Sequence, residues 1–213
     1  MGAAGHYSVR GVRLGFSTDS AKHHLGVRSM GLSLWLIPSQ PLKSQIQTII
    51  NEVADAEKAP KFEPHMTVVS IPCPSAIPPL QSSLMPVLTR FESLRLAFKS
   101  LFVGTSYFIS VALLLHPTPA LVEFQRDIVR ALSQELGGEP SDKPFLPHIS
   151  LYYGNISSED RERIASAIRD KGLLDNDAGL TIGGVSSNLP DELWVVKTEG
   201  PVESWEVIEM IQF

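Results

Sequence analysis

The 213-residue chain has a single cysteine, Cys73, so neither an internal disulfide nor a cysteine-built metal centre can form. That usage leads to the expectation of a reducing, cytoplasmic compartment. Cys73 itself stands among prolines, in Ile71-Pro72-Cys73-Pro74, and reads as a structural loop thiol. No run of about 18 apolar residues occurs, so a helical membrane span is not expected. The longest apolar stretch, Ile109 to Leu115, has the length of a buried strand. Clustered positive charge is missing too: the net charge is −5 and the sequence pI about 5.7. A protein that grips many phosphates of a duplex or a long RNA carries a basic face. The expected partner is therefore a small ligand, not a long nucleic acid, and a monomer is expected. Neither a glycine-rich phosphate loop nor a βαβ dinucleotide fingerprint is present.

What is there is ordinary globular composition, 43% hydrophobic and 19% charged with mean hydropathy +0.06. The length suits one domain or two small lobes sharing a core. Residues 1–29 differ from the rest, with little apolar periodicity and Asp19 as their only acid. An organelle presequence or an extension upstream of a start at Met30 would fit. The favoured reading is a disordered tail that takes no part in the chemistry, with the domain spanning 30–213.

From Met30 onward the pattern sharpens. Leu32–Ile37 reads as a strand stopped by Pro38, and Pro41 to Lys58 as an amphipathic helix with Leu42, Ile46, Ile49, Ile50 and Val53 on one face. Met66–Ile71 is strand-like, and Pro79–Thr89 a short helix despite Pro86. Leu94–Val103 and Tyr107–Leu115 read as a hairpin turning at Gly104-Thr105-Ser106. A helix over Thr118–Leu136, stopped by Gly137-Gly138, precedes a strand at Ile149–Tyr153. Ser157 or Ser158 caps a helix running to Lys171, with Gly172 after it. Strands over Leu180–Val185, Glu192–Thr198 and Trp205–Ile211 close the chain. The fold class expected is α+β with largely antiparallel sheet.

The most informative feature is a duplication. Phe62-Glu63-Pro64-His65-Met66-Thr67 and Phe145-Leu146-Pro147-His148-Ile149-Ser150 share the pattern Phe-x-Pro-His-x-(Thr/Ser). Each copy follows a helix and opens a strand. Residues i and i+2 of a strand face the same way, so His65 projects with Thr67 and His148 with Ser150. If the halves pack with approximate two-fold symmetry, two imidazoles and two hydroxyls surround one small anion. Histidine's ordinary pKa near 6.5 lets one ring take a proton from water while the other gives one to a leaving oxygen. The hydroxyls can donate to phosphate oxygens as charge grows there. A zinc site from two histidines and a carboxylate ranks well below, because no acid recurs with the pair. His6, His23, His24 and His116 carry no such pattern and read as unremarkable.

At these residues the chain resembles the two-histidine phosphoesterase superfamily, defined by paired His-x-(Thr/Ser) motifs. Within it, the chain looks like the cyclic nucleotide phosphodiesterase family of fungi and plants that works downstream of tRNA splicing. The resembling segments are Leu34-Trp35-Leu36-Ile37-Pro38, both histidine motifs, Leu151-Tyr152-Tyr153-Gly154, and Leu193-Trp194 through Ser204-Trp205-Glu206. The resemblance implies a bilobal α+β fold, with two pseudo-symmetric lobes of mainly antiparallel sheet and outer helices around a central cleft. It implies cleavage of ADP-ribose 1″,2″-cyclic phosphate to ADP-ribose 1″-phosphate, and of nucleoside 2′,3′-cyclic phosphates to nucleoside 2′-phosphates. Neither metal nor other cofactor is implied. By motif match His65 and His148 are catalytic, while Thr67 and Ser150 bind phosphate. The duplication makes the two histidines formally alike; the resemblance assigns water activation to His148 and leaving-group protonation to His65. Trp35 and Tyr153 align with aromatics that line the nucleotide pocket, whereas Trp194 and Trp205 are assigned to the core. The redox control suggested by the cysteines of plant members has no basis here. An enzyme acting on RNA ends, and a nucleotide-binding module without turnover, are the alternatives.

Overall fold

The computed structural model describes residues 31–137, 144–171, 173–176 and 179–213. The tail assigned to 1–29, with His6, His23 and His24, lies outside the described residues, as do Gly138 and Gly172. In chain order the elements are β1 (Gly31–Ile37), α1 (Leu42–Glu57), β2 (Met66–Ile71), α2 (Gln81–Arg90), β3 (Leu96–Ser106) and β4 (Ile109–Leu115). There follow α3 (Pro119–Leu136), β5 (His148–Tyr152), α4 (Ser158–Arg169), β6 (Leu173–Asn176), β7 (Gly179–Ile182), β8 (Ser187–Asn188), β9 (Glu192–Thr198) and β10 (Glu206–Gln212).

Eight strands form one antiparallel sheet in the order β10-β9-β1-β2-β5-β4-β3-β8, and β6 and β7 pair separately. The order is palindromic about the β2–β5 seam. That seam is held by one registered pair, Met66 opposite Ile149. On one side Leu36 and Trp35 pair with Met66 and Thr67; on the other, Leu113 and Ala112 pair with Ile149 and Ser150. The two units β1-α1-β2 and β4-α3-β5 are thus related by a pseudo-two-fold axis through the seam. Their outer neighbours come from different places in the chain: β9, near the end, joins β1, whereas β3, just upstream, joins β4 as the expected hairpin. Each lobe is built from segments of both chain halves.

Both faces of β1 are buried, and its alternation divides them. Leu32, Leu34 and Leu36 join the main core with Ile46, Ile50, Phe124 and Ile128 from the helices. Trp35 and Ile37 form a smaller cluster on the opposite face with Trp194 and Val196. Burial of this kind is worth about 25 cal/mol per Å² of apolar surface and drives the sheet to close against its helices. Helix α3 starts where its sequence cap predicts, with the Thr118 hydroxyl accepting from the Leu121 N–H, and Ser157 caps α4 in the same way through Asp160.

The hairpin turn differs from the expectation. It lies at Tyr107-Phe108, with Ser106 paired to Ile109, and Gly104 sits inside β3. A Cβ on Gly104 would come within 1.9 Å of the Ile109 carbonyl oxygen. Here glycine serves close backbone approach at a register shift, not a turn. The short strands β6 and β8, of four and two residues, are additions to the expected elements, too brief to show an alternation in the sequence.

Candidate functional site

The duplicated motif builds two copies of one local device. In each, proline sits between the histidine and the residue before it, fixing φ near −65° and holding the preceding residue extended. The His65 Nδ1 lies 2.6 Å from the Glu63 carbonyl oxygen, and the His148 Nδ1 lies 2.7 Å from the Leu146 carbonyl oxygen. A carbonyl can only accept, so each Nδ1 carries the proton and each Nε2 is left to face a ligand.

The seam brings the two devices together. Continuing the Met66–Ile149 register by one residue sets His65 opposite Ser150 and Thr67 opposite His148, all on the face away from the helices. His65, Thr67, His148 and Ser150 line one cavity of about 420 Å³. Its size suits a nucleotide. The four residues singled out by the duplication therefore share a single space.

Their environments are unequal. His65 is buried and stacked on Trp35, with ring centroids 3.6 Å apart and planes within 10°. Burial pushes its pKa down to about 3, partly opposed by the Glu63 carbonyl, with the charge of His148 lowering it further. His148 is more open, and burial lowers it from 6.5 against the pull of the Leu146 carbonyl. Both imidazoles are neutral in the free protein at pH 7. The hydroxyls differ as well: Ser150 donates to the Phe108 carbonyl at 2.8 Å and also lies in hydrogen-bond contact with the Tyr153 phenol, so its proton is turned away from a ligand until the carbonyl bond is released.

Trp35 and Tyr153 both line the cavity, but neighbours already cover them. His65 occupies a face of Trp35, and Phe62 of the first motif stacks on Tyr153 at 3.9 Å and 15°. Burial raises the Tyr153 phenol pKa, keeping it protonated. Arg161 of α4 donates from Nε to the Ser110 hydroxyl at 2.9 Å and from Nη2 to the Gly154 carbonyl at 3.4 Å, which clamps the segment after β5 in place.

Sequence reasoning missed several wall residues. Trp205, assigned to the core, is half-buried against both core clusters and also lines the cavity, packing edge-on against Trp35 at 5.7 Å. It precedes β10, after a 3₁₀ turn at Val202–Ser204, and its ring also meets Phe108 and Tyr153. Its indole N–H is buried without a partner. Ser106 to Ile109 around the hairpin tip, and Ser33, Ser70 and Thr198 from the first lobe, complete the walls. Apart from Trp205, which lies in the resembling Ser204-Trp205-Glu206 segment, no local motif marks these positions. Trp194 is buried in the small cluster, as expected. Among the described residues no three His, Cys, Asp or Glu side chains converge as a metal site, and no helix is long and apolar enough to cross a membrane.

A family model described as "Cyclic phosphodiesterase-like protein" matches residues 30–213. A 2′,3′-cyclic-nucleotide 3′-phosphodiesterase of Kluyveromyces lactis is 28% identical over 213 residues, covering 85% of this chain and 98% of that protein. A Yarrowia lipolytica protein of the same name is 26% identical over 231 residues, covering 86% and 100%. The solved structure of Kluyveromyces marxianus Usb1 covers 88% of this chain and 100% of its own, at 15% identity and a TM-score of 0.40.

Proposed function

The chain belongs to the cyclic phosphodiesterase-like protein family, and from that premise we propose that it hydrolyses nucleoside 2′,3′-cyclic phosphates to nucleoside 2′-phosphates. We extend the proposal to ADP-ribose 1″,2″-cyclic phosphate, opened to ADP-ribose 1″-phosphate, with both substrates arising downstream of tRNA splicing. The observation that carries the reading is the meeting of His65 and His148 on one cavity, each with its Nδ1 tied to a carbonyl.

One imidazole accepts a proton from water as the oxygen bonds to phosphorus. On the opposite side the P–O3′ bond breaks, and the other imidazole, protonated, delivers its proton to the departing oxygen. The product keeps phosphate on O2′, and the two rings exchange protons with solvent before the next cycle. Thr67 donates to a non-bridging oxygen. Ser150 does the same once it leaves the Phe108 carbonyl, and before that it can accept a hydrogen bond from the attacking water, whose proton goes to the imidazole. The half-buried rings of Tyr107, Phe108 and Trp205 add apolar surface to the cavity. The net charge of −5 supports a small substrate over a polymer.

The test is turnover of adenosine 2′,3′-cyclic phosphate by the purified protein in EDTA, with the product identified by chromatography. Hydrolysis to the 2′-phosphate is expected. His65→Ala and His148→Ala are each expected to lower kcat by about 10²–10⁴-fold. Full activity in either variant overturns the mechanism, and strong preference for an oligonucleotide with a cyclic 3′ end reassigns the enzyme to RNA ends. Nucleotide binding without product leaves a binding module.

A further inference from the structure

Three hydroxyls on the first-lobe side of the cavity form a chain whose direction is set by its anchor. Thr198 Oγ1 lies 3.2 Å from the Gly31 carbonyl oxygen, Ser33 Oγ lies 3.1 Å from Thr198 Oγ1, and Ser70 Oγ lies 2.8 Å from Ser33 Oγ. Each hydroxyl has one proton. The carbonyl accepts only, so Thr198 must donate to it; Ser33 then donates to Thr198, and Ser70 to Ser33. That is the one assignment in which all three contacts are hydrogen bonds. Ser70 is left with its proton committed and its lone pairs free. Ser33 and Thr198 are buried, whereas Ser70 is the more open end, and all three line the cavity.

The pseudo-two-fold axis independently marks Ser70. In the first unit the register skips Val68, three residues after His65; in the second it skips Leu151, three residues after His148. The extra residue resets the alternation, so the position five after each histidine turns toward the cavity. In the second unit that position is Tyr153, and in the first it is Ser70. Counted along β1, from Trp35 opposite Thr67 to Ser33 opposite Ser70, two strand steps or roughly 7 Å carry Ser70 beyond Thr67, toward the end of the cavity away from Tyr153.

Resting on the function proposed above, we propose that Ser70 is a specificity-determining residue that accepts a hydrogen bond from an O–H or N–H donor on the nucleoside part of the substrate, with Ser33 and Thr198 holding it in the acceptor state. The donor is a ribose hydroxyl or an exocyclic amine of the base. A phosphate oxygen, having no proton to give, is not recognised there.

The experiment compares the wild type, Ser70→Ala and Thr198→Val with three nucleosides: adenosine, purine riboside, which lacks the amine, and 5′-deoxyadenosine, which lacks the 5′-hydroxyl. Each is supplied as its 2′,3′-cyclic phosphate for kinetics and as its 2′-phosphate for calorimetry. Ser70→Ala is expected to raise KM and Kd for the adenosine compounds about three- to tenfold, the effect of one neutral hydrogen bond, with kcat unchanged. It should leave one analogue unaffected, and that analogue names the donor. Thr198→Val frees the Ser33 proton, lets the chain reverse, and should shrink the wild-type difference between adenosine and that analogue. Equal loss for all three nucleosides, or no loss for any, overturns the inference. Donor-dependent binding without turnover would sink the catalytic reading and leave this one standing; turnover without donor dependence does the reverse, and no binding sinks both.

Discussion

A histidine works as acid or base only in the protonation state that its surroundings allow. Here burial holds His65 near 3 and His148 below 6.5, while the reaction needs one ring neutral and one protonated. In the free protein the competent state therefore gains population as pH falls below the His148 value and disappears once His65 also protonates. The profile of kcat/KM is expected to be a bell with its alkaline limb below pH 6.5 and its acid limb near 3. A bound phosphate anion stabilises imidazolium, so the alkaline limb of kcat should lie higher. Rates measured from pH 3 to 9 check both, and a kcat/KM that stays flat from pH 5 to 8 would contradict the pKa ordering. Removing the Ser150 proton donor addresses a different point. Ser150→Ala is expected to lower kcat by up to about 10²–10³-fold, the cost of losing one oxyanion-type donor; an effect confined to KM would assign Ser150 to binding alone.

Among the elements, the β3–β4 hairpin links backbone geometry to the site. Its tip carries Tyr107 and Phe108 into the cavity wall, and the Phe108 carbonyl holds the Ser150 hydroxyl. Gly104 permits the tight approach of the two strands, and a methyl group there would meet the Ile109 backbone, which cannot move aside. Gly104→Ala is expected to destabilise the protein by about 2 kcal/mol or more, in the range of backbone-strain substitutions, and to raise KM as the tip shifts. Urea unfolding measures the first effect; an unchanged midpoint would show that the strands relax at no cost. The sequence marked both arms of this hairpin, yet placed its turn at Gly104 because glycine before small polar residues reads as a turn. Only the cross-strand register distinguishes a turn glycine from one that admits a neighbouring backbone.

For the molecule as a whole, keeping His65 neutral inside the fold links stability to acidity. Its folded pKa, about 3, lies below the ordinary 6.5, so between those values the unfolded chain binds more protons than the folded one. This stabilisation is complete above pH 6.5 and is lost as pH falls through the window toward 3. His65→Gln, which cannot titrate, is expected to show a smaller drop in urea midpoint between pH 7 and pH 4 than the wild type. Equal slopes would mean that the ring is not held neutral. The pairing of the two lobes through β2 and β5 gives that burial its purpose, since it sets both histidines on one wall.

Local chemistry in the chain was enough to decide most strands and helices, the capping at Thr118 and Ser157, and the two Phe-x-Pro-His motifs, because periodicity, caps and proline stiffness act over a few residues. It was enough, too, to pair His65 with Thr67 and His148 with Ser150, since neighbours two apart on a strand share a face. The tertiary structure alone decided that β9 flanks the first repeated unit, that bulges at Val68 and Leu151 turn Ser70 and Tyr153 toward the cavity, and that Trp205 lines it. Those outcomes depend on register between segments more than 30 residues apart, as in the Ser33–Ser70 contact at a separation of 37, and no alternation along a single strand records which partner it will meet.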